Sequence, residues 1–361
     1  MSGTSIDAVD GVLARFDGAG NLVHTLASAS LPIPAALRQR LTALQQPGAD
    51  ELATAAIAAN DLTDLYADCV KTLLHQAALP GSAVTALAAH GQTVRHSPER
   101  GYTIQLMNGA RLAEKTGIDT VSDLRSADIA AGGQGAPLVP VFHARVFGSA
   151  AARRAIVNIG GIANITILEP AKTSASVTGY DTGPGNTLMD GWCELHRGER
   201  FDLDGQWAAA GQVNRPLLAR MLAEPYFAQP APKSTGRDLF NADWLQRQDL
   251  SGLAAVDVQA TLLELTATTI DDACRAHQVQ EVFVCGGGAA NPQLMQRLET
   301  ELPGVPVRST SELGLAPQAV EATAFAWLAR QRIAQEPGNL QTVTGASGLR
   351  VLGALHAAGR R

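Results

Sequence analysis

The sequence predicts an α/β protein built from two similar domains. Its 361 residues exceed what one small core organises, and a hydrophobic content of 46% is enough for more than one core. A recurring unit points the same way: an apolar, strand-like run meets a turn of small residues, and a helical pattern follows. Such turns occur at residues 2–5, 160–161 and 286–288. Their spread along the chain predicts a ligand cleft between two α/β domains.

Composition restricts the possible partners. The net charge is -6 and the sequence contains no block of Lys and Arg, which argues against a nucleic-acid partner. Cys69, Cys193, Cys274 and Cys285 lie far apart without a CxxC pair, so neither a structural zinc site nor a disulfide framework is indicated. No signal-peptide pattern opens the sequence, and no apolar run of about 18 residues occurs. We therefore expect a soluble, cytoplasmic protein with a small-molecule ligand and no membrane partner.

The first residues, MSGTSID, form a polar turn before the apolar run at residues 9–16. Glycine and small hydroxyl residues are suited to holding phosphate, and Asp7 is a candidate ligand for Mg²⁺, directly or through water. A solvated, polar terminus is the alternative. A strand normally precedes such a turn, and none does here. Residues 9–16 and 21–31 predict two strands of a hairpin or meander.

Polar residues follow a predicted buried strand at residues 84–89. Open α/β sheets bind ligands at the carboxyl ends of their strands, so His90, Gln92 and Thr93 are candidates for substrate binding. A hydrogen-bonded core histidine is the alternative for His90. The glycine-rich loop at residues 123–140 follows, in which Arg125 and Asp128 contact either the substrate or each other.

The central stretch combines two glycine turns with an acid. Residues 155–159 and 162–168 predict two strands joined by a tight turn at Gly160 and Gly161. Residues 177–186 then lead through Asp181 into a second glycine turn before a helix. Such turns bring N–H donors close to an anion. The alternatives are hairpin geometry alone for the glycine pair, and an Asx turn or helix cap for Asp181.

A third unit lies near the C-terminus. The predicted strand at residues 281–285 ends in three glycines, and Asn291 and Pro292 mark a helix start. Glu321, near the start of the predicted helix at residues 317–334, either stabilises that helix electrostatically or faces a ligand. Lys233 and Arg237 belong to a polar loop that is within reach of phosphate or is simply solvated.

The sequence contains neither a GxxxxGK[ST] nor a GxGxxG motif, so P-loop and dinucleotide sites are excluded. The small-residue turns instead predict an ATP-binding enzyme that surrounds a triphosphate.

The motifs together resemble those of one family. In order they are MSGTSID, HGQTVRH, GGQGAPLVP, NIGGIANIT, GYDTGPGN, VCGGGAANP and EATAFAWLA. This set resembles the anhydro-N-acetylmuramic acid kinases, and the resemblance runs from Met1 to the VTGA and LGAL segments near the C-terminus. It implies two RNase H-like domains of the sugar kinase, heat-shock ATPase and actin superfamily around a nucleotide cleft. The expected domains are residues 1–150 and 151–361, with the C-terminal segment packing back on the first domain.

The same resemblance implies an activity. ATP and water convert 1,6-anhydro-N-acetylmuramic acid into N-acetylmuramic acid 6-phosphate during peptidoglycan recycling, and the enzyme is a homodimer. Asp181 is the implied general base: it takes a proton from the water that attacks C1, while O6 of the anhydro bridge receives the γ-phosphoryl group. The alternatives are a conventional sugar kinase and an actin-like or chaperone-type ATPase module that acts through protein partners.

The resemblance also implies the binding residues. Those expected at ATP are Gly3, Thr4, Ser5, Asp7, Asp10, Gly160, Gly161, Asn164, Gly183, Gly286, Gly287 and Gly288, with Mg²⁺ near Asp7. Those expected at the sugar are His90, Gln92, Thr93, Arg125 and Glu321, and Arg125 is suited to pair with the lactyl carboxylate. Family members carry a short apolar strand before MSGTS. If Met1 is the true start, the first strand is missing and the phosphate loop is held on one side only. A misplaced start codon is the simpler explanation for its absence.

Overall fold

The fold is that of a computed structural model, which describes residues 1–3, 6–170 and 177–359. The chain divides into two compact units. Unit 1 comprises Met1–Val146 and Ala319–Arg361, and unit 2 comprises Phe147–Gln318. None of the helices in the described ranges combines the length and the apolar character needed to span a membrane.

The chain contains both strands and helices, which follow one another in short runs, as the α/β prediction requires. The strands are β1 (Ala8–Phe16), β2 (Leu22–Pro32), β3 (Leu87–Ala88), β4 (Gln92–Ser97), β5 (Tyr102–Leu106), β6 (Thr120–Ser122), β7 (Arg154–Ile159), β8 (Ile162–Leu168), β9 (Val177–Pro184), β10 (Glu281–Cys285), β11 (Val307–Ser309) and β12 (Ala354–His356). The helices are α1 (Ala35–Ala43), α2 (Glu51–Gln76), α3 (Gly109–Thr116), α4 (Ser126–Ala130), α5 (Val139–Phe147), α6 (Thr187–Arg197), α7 (Gln206–Ala210), α8 (Arg215–Leu222), α9 (Ala242–Gln246), α10 (Ala255–Ala276), α11 (Pro292–Glu301), α12 (Val320–Ile333) and α13 (Gln341–Thr344).

Unit 2 is built on one five-stranded sheet with the order β11-β10-β7-β8-β9. β8 is antiparallel to both β7 and β9, whereas β10 is parallel to β7 and β11 is parallel to β10. Counted within the unit, the order is 5-4-1-2-3 with the second strand reversed, which is the topology of an RNase H-like domain. The apolar run of β7 is buried from Ala155 to Val157, as expected for a central strand covered on both faces. Helix α10 packs against β8 and β9.

Unit 1 has a different set of strand pairings. β1 and β2 form the predicted antiparallel hairpin, β6 lies between β3 and β12, and β4 pairs with β5. Helix α12 packs on β1 and β3, and α2 packs on β1 and β2. A cavity of about 420 Å³ lies along β1 and β3 and is lined by apolar side chains that include Leu13, Leu73 and Phe325.

Several sequence predictions need correction. The polar residues that follow the predicted strand belong to a strand of their own, β4, in which the buried Gln92 and Val94 alternate with more exposed neighbours. The strand predicted over residues 84–89 is limited to Leu87–Ala88. Asp181 lies inside β9 rather than at the start of a turn, and it is not a helix cap, because the N-cap of α6 is Asn186. Helix α8 was not predicted.

Candidate functional site

The glycine turn between β7 and β8 is fixed by the start of α6. The carbonyl of Gly160 accepts a hydrogen bond from Asn186 N at 2.8 Å, and the carbonyl of Gly161 accepts from Gly185 N at 2.9 Å and Thr187 N at 3.1 Å. Within the described chain, the N–H groups of Gly160 and Gly161 make no backbone hydrogen bond. The turn therefore serves hairpin geometry and also keeps two donors available.

The second glycine turn follows β10 and packs directly on the end of β7. Gly286 has a φ of +78°, and a Cβ there would lie 2.4 Å from Asn158 Oδ1. A Cβ on Gly288 would lie 2.4 Å from Ile159 Cγ2. Only glycine fits this approach. The N–H groups of Gly287 and Gly288 make no backbone hydrogen bond to any described residue.

Asn186 joins the two turns. Its Nδ2 donates to the carbonyl of Ile159 at 3.2 Å, directly before Gly160. The same Nδ2 lies 3.5 Å from the position of a Cβ on Gly287. The two glycine turns thus lie side by side in unit 2, and both offer unused backbone donors. Such an arrangement suits an anion.

Arg237 adds a positive charge to this place. Its Nη2 lies 3.8 Å from the position of a Cβ on Gly161, and its Nε lies at 3.9 Å. The side chain is exposed, and no acidic group in the described ranges forms an ion pair with it. Backbone donors, the start of α6 and a guanidinium group together favour phosphate.

Asp181 is held by one segment, residues 226–235, on the same unit. Its Oδ2 accepts a hydrogen bond from Thr235 N at 2.9 Å, and its own N–H donates to the carbonyl of Lys233 at 3.2 Å. The hydroxyl of Tyr226 donates to the carbonyl of Asp181 at 2.7 Å. Burial raises the pKa of Asp181 to about 6, and the Thr235 N–H partly opposes this rise. A carboxylate with this pKa is ionised at neutral pH and is more basic than a solvated one, as a general base requires.

Lys233 serves the fold of this segment. Its Nζ donates to the carbonyls of Tyr226 at 3.2 Å and Phe227 at 3.1 Å, and it lies 4.7 Å from the centre of the Tyr226 ring. Burial lowers the pKa of Lys233. Of the two cations that the sequence placed near phosphate, Arg237 lies at a glycine turn, whereas Lys233 fastens the loop that holds Asp181.

Asn164 and Gly183 lie on the strands next to Asp181. In the β7–β8–β9 register, Asn164 pairs with Asn158 on one side and with Asp181 on the other. Gly183 has a φ of +152°, and a Cβ there would lie 2.7 Å from the Phe227 ring. Close packing therefore explains this glycine, and its contact with ATP stays a prediction.

The predicted sugar-binding residues of unit 1 include a histidine–arginine pair, in which His90 is buried and Arg125 is half-buried. His90 Nδ1 lies 2.7 Å from the carbonyl of Gly91, and His90 Nε2 accepts from Arg125 Nη2 at 2.9 Å. Burial and then the Arg125 charge hold the pKa of His90 well below its usual value, so the ring is neutral, with Nδ1 as the donor. Both ring nitrogens are engaged, which supports the core-histidine alternative. Substrate binding by His90 stays a prediction.

Arg125 lies between polar groups without an ion pair. Its Nη1 donates to the carbonyl of Gly135 at 2.7 Å, and no described carboxylate lies within 4.0 Å of its guanidinium nitrogens. Burial lowers the pKa of Arg125, while the charges of Glu321 and Asp128 raise it. Glu321 lies in the first turn of α12. Burial raises the pKa of its carboxyl group, and the charge of Arg125 opposes that rise. The guanidinium group of Arg125 is therefore available to pair with an anion.

Asp128 has a structural role in unit 1, where it links two segments of the chain. Its side chain is fully buried and accepts hydrogen bonds from Gly135 N at 2.8 Å, Asn339 Nδ2 at 2.7 Å and Thr344 Oγ1 at 2.7 Å. It joins the glycine-rich loop to the C-terminal segment. Through Gly135 it also fixes the carbonyl that Arg125 binds.

Gln92 and Thr93 lie at the start of β4. Gln92 is buried, and its Oε1 has no hydrogen-bond partner among the described residues. Thr93 Oγ1 accepts a hydrogen bond from Gln105 Nε2 at 3.2 Å. Gln92, unlike Thr93, therefore has a buried acceptor, its Oε1, that is unused among the described residues.

The N-terminal phosphate turn is described only in part, because Thr4 and Ser5 lie outside the described residues. Among the described residues other than its chain neighbours, none has an atom within 4 Å of the position of a Cβ on Gly3, and Asp10 N donates to the carbonyl of Met1 at 2.8 Å. Asp7 is half-exposed, and one of its carboxylate oxygens lies 3.4 Å from Arg38 Nη2. In the ranges that the structure covers, no group of three or more His, Cys, Asp or Glu side chains is placed to hold a metal ion.

Comparisons with known proteins decide the family. The family profile described as "AnmK: Anhydro-N-acetylmuramic acid kinase" matches residues 1–358. The chain belongs to the anhydro-N-acetylmuramic acid kinase family. It is 54% identical over 366 residues to the anhydro-N-acetylmuramic acid kinase of Cupriavidus metallidurans, covering 99% of this chain and 96% of the relative. It is 55% identical over 365 residues to that of Bordetella pertussis, covering 99% and 95%.

A solved structure gives a weaker likeness. The chain is similar to a ROK family glucokinase from Streptomyces griseus, solved in complex with glucose and AMPPNP, with 12% identity and a TM-score of 0.40. The match covers 90% of this chain and 99% of the glucokinase. At this score the likeness adds nothing to the topology described above.

Sequence reasoning missed several residues of the candidate site. Asn186 joins the glycine turns, and Tyr226 and Thr235 hold Asp181. Asn186 is part of the GYDTGPGN motif, so its position gave a signal. Thr235 gave none, because it contacts Asp181 across 54 positions of the sequence.

Proposed function

We propose that this chain phosphorylates 1,6-anhydro-N-acetylmuramic acid with ATP and opens its anhydro bridge with water. The product is N-acetylmuramic acid 6-phosphate, and the reaction belongs to peptidoglycan recycling. The observation that carries the proposal is that a carboxylate with a raised pKa, Asp181, shares unit 2 with two side-by-side glycine turns. Membership of the family supports the choice of substrate.

Backbone N–H groups from both glycine turns bind the phosphates of ATP. Gly160, Gly161, Gly287 and Gly288 supply the unused donors, and the exposed Arg237 neutralises charge beside them. Phosphoryl transfer requires mainly positioning and charge neutralisation, and these groups supply both. Gly3, Thr4, Ser5 and Asp10 are the proposed contribution of the N-terminal turn.

Asp7 is the proposed ligand of Mg²⁺, directly or through water. Its half-exposed carboxylate fits the oxygen donors that Mg²⁺ prefers, and a site completed by phosphates and water needs only one or two carboxylates. When bound, the ion neutralises phosphate charge. On unit 1 the carboxylate also forms an ion pair with Arg38.

Asp181 acts on the water. Its carboxylate takes one proton as the water oxygen forms a bond to C1, and the bond between C1 and O6 breaks. O6 then forms a bond to the γ-phosphorus, the bond from that phosphorus to the β,γ-bridging oxygen breaks, and ADP leaves. The Thr235 N–H keeps Oδ2 in place during these steps.

The sugar is bound by polar groups of unit 1. Arg125 pairs with the lactyl carboxylate, since its guanidinium group has no ion-pair partner among the described residues, and the charge of Glu321 raises the pKa of Arg125. Gln92 offers an unused acceptor, and Thr93 and His90 complete the set, with neutral His90 holding Arg125.

We also propose a homodimer, for which light scattering of the purified protein is the test.

The test is an activity comparison on purified protein. With ATP and Mg²⁺, the wild type should phosphorylate 1,6-anhydro-N-acetylmuramic acid, and Asp181→Asn should lose at least about 1,000-fold in turnover while it retains ATP binding. N-acetylglucosamine is the matched acceptor for a conventional sugar kinase. If the protein turns over only N-acetylglucosamine, it is a conventional sugar kinase and the proposal is wrong. A fully active Asp181→Asn variant would show that Asp181 is not the base.

A further inference from the structure

The hydroxyl group of Thr235 is shielded from solvent and unused. Its Oγ1 has no hydrogen-bond partner among the residues that the structure describes. A buried polar atom without a partner costs free energy, so a group of this kind usually binds water or a ligand.

Thr235 is also the residue that holds the candidate base. Its backbone N–H donates to Asp181 Oδ2 at 2.9 Å. In a threonine the amide nitrogen and Oγ1 are separated by about 3 to 4 Å, so the unused hydroxyl belongs to the immediate surroundings of the carboxylate. One residue therefore supplies both a backbone donor to Asp181 and an unused hydroxyl beside it.

The geometry points to Thr235 Oγ1 as a second partner of the attacking water. This inference rests on the proposed function. The water donates one hydrogen to Asp181 and the other to Thr235 Oγ1, which leaves an oxygen lone pair for C1. The proton on Asp181 is the one lost as the bond to C1 forms, and Thr235 exchanges no proton. Its role is to orient the nucleophile.

The loop is built to keep this hydroxyl in place. Lys233 fastens the preceding backbone to the carbonyls of Tyr226 and Phe227, and its own carbonyl accepts the Asp181 N–H. Asp181 is thus hydrogen-bonded to this loop at two points, the carbonyl of Lys233 and the N–H of Thr235. A small displacement of the loop would move the base and the hydroxyl together.

The test compares two nearly isosteric changes at one position. Thr235→Val removes the hydroxyl but keeps the N–H to Asp181, whereas Thr235→Ser keeps the hydroxyl. Thr235→Val should lower kcat by about 10- to 100-fold with the KM for ATP within about twofold of the wild type, and Thr235→Ser should retain at least a third of kcat. Thr300→Val, at an exposed helical threonine, is the control and should match the wild type.

The pH profile separates orientation of water from damage to the base. Because Thr235→Val keeps the hydrogen bond to Asp181, the acid limb of kcat/KM should stay at the wild-type pH while the plateau falls. Any of three results would overturn the inference: an acid limb at a different pH in Thr235→Val, a kcat of Thr235→Val within twofold of the wild type, or a kcat of Thr235→Ser as low as that of Thr235→Val. If Thr235→Val does not fold, Thr235→Ala takes its place in the same comparison. A wild type without turnover would refute the proposed function, whereas an active wild type with no effect of Thr235→Val refutes only the role of the hydroxyl.

Discussion

At the scale of single residues, Asp181 shows how the surroundings change a common side chain. Burial disfavours its charged form, and one backbone N–H restores only part of the lost stabilisation. Neighbouring groups do not compete for its proton near neutral pH. Burial and the Asp181 charge raise the pKa of Tyr226 far above neutrality, and Lys233 contacts backbone carbonyls. The carboxylate therefore titrates in a range where activity is measurable.

The pH dependence of activity follows from this pKa. A general base must be ionised, and the pKa of Asp181 is raised to about 6, so kcat/KM should fall about tenfold per pH unit below pH 6 and level off above it. The measurement is kcat/KM between pH 4.5 and 8.5 at constant ionic strength. A limb near the ordinary aspartate pKa, or a flat profile down to pH 5, would contradict the account.

At the scale of elements, Asp128 links two segments that are distant in sequence. Its carboxylate is the common acceptor of the loop at Gly135 and of the C-terminal segment at Asn339 and Thr344. A fully buried carboxylate with three donors is costly to disturb, because each donor would lose its partner without access to water.

We therefore expect Asp128→Asn to destabilise the protein by about 2 to 4 kcal/mol. The amide presents N–H donors where the site supplies donors already. Urea unfolding followed by circular dichroism measures the loss. Asp123→Asn is the matched control, because Asp123 is exposed and accepts only from neighbouring Ser126 among the hydrogen bonds described. Equal stability of the Asp128 and Asp123 variants would refute the linking role.

Elements differ in how well the sequence predicts them. A short apolar run that ends in three glycines predicts β10 and its glycine turn, because this local pattern is typical of a strand followed by a turn. The residues of β4, QTVRHS, are mostly polar and do not predict a strand by themselves; they form one because they pair with β5. The turns at Gly160 and Gly287 were predicted separately. Their contact through Asn186 depends on the sheet order, which local patterns do not contain.

At the scale of the whole molecule, the two units differ in chain continuity. Unit 2 is one continuous segment, Phe147–Gln318, with a complete five-stranded sheet and its own core. Unit 1 needs two segments, because α12 covers β1 and β3 from beyond residue 319.

This difference predicts which segment folds alone. Residues 147–318 expressed by themselves should unfold cooperatively on heating, whereas residues 1–146, which lack α12, should not. Thermal melts by circular dichroism and the dispersion of amide signals in NMR spectra are the measurements. A cooperative melt of residues 1–146, or none for residues 147–318, would contradict this assignment of the cores.

The central claim is that one reaction joins phosphate transfer to opening of the bridge. The direct measurement is an NMR analysis of the product formed from ATP and 1,6-anhydro-N-acetylmuramic acid by the wild type. We predict a phosphorus coupling to the protons on C6 and an anomeric proton typical of a free hydroxyl group at C1. A phosphorylated product that retains the anhydro bridge, or the absence of any phosphorylated product, would contradict the account.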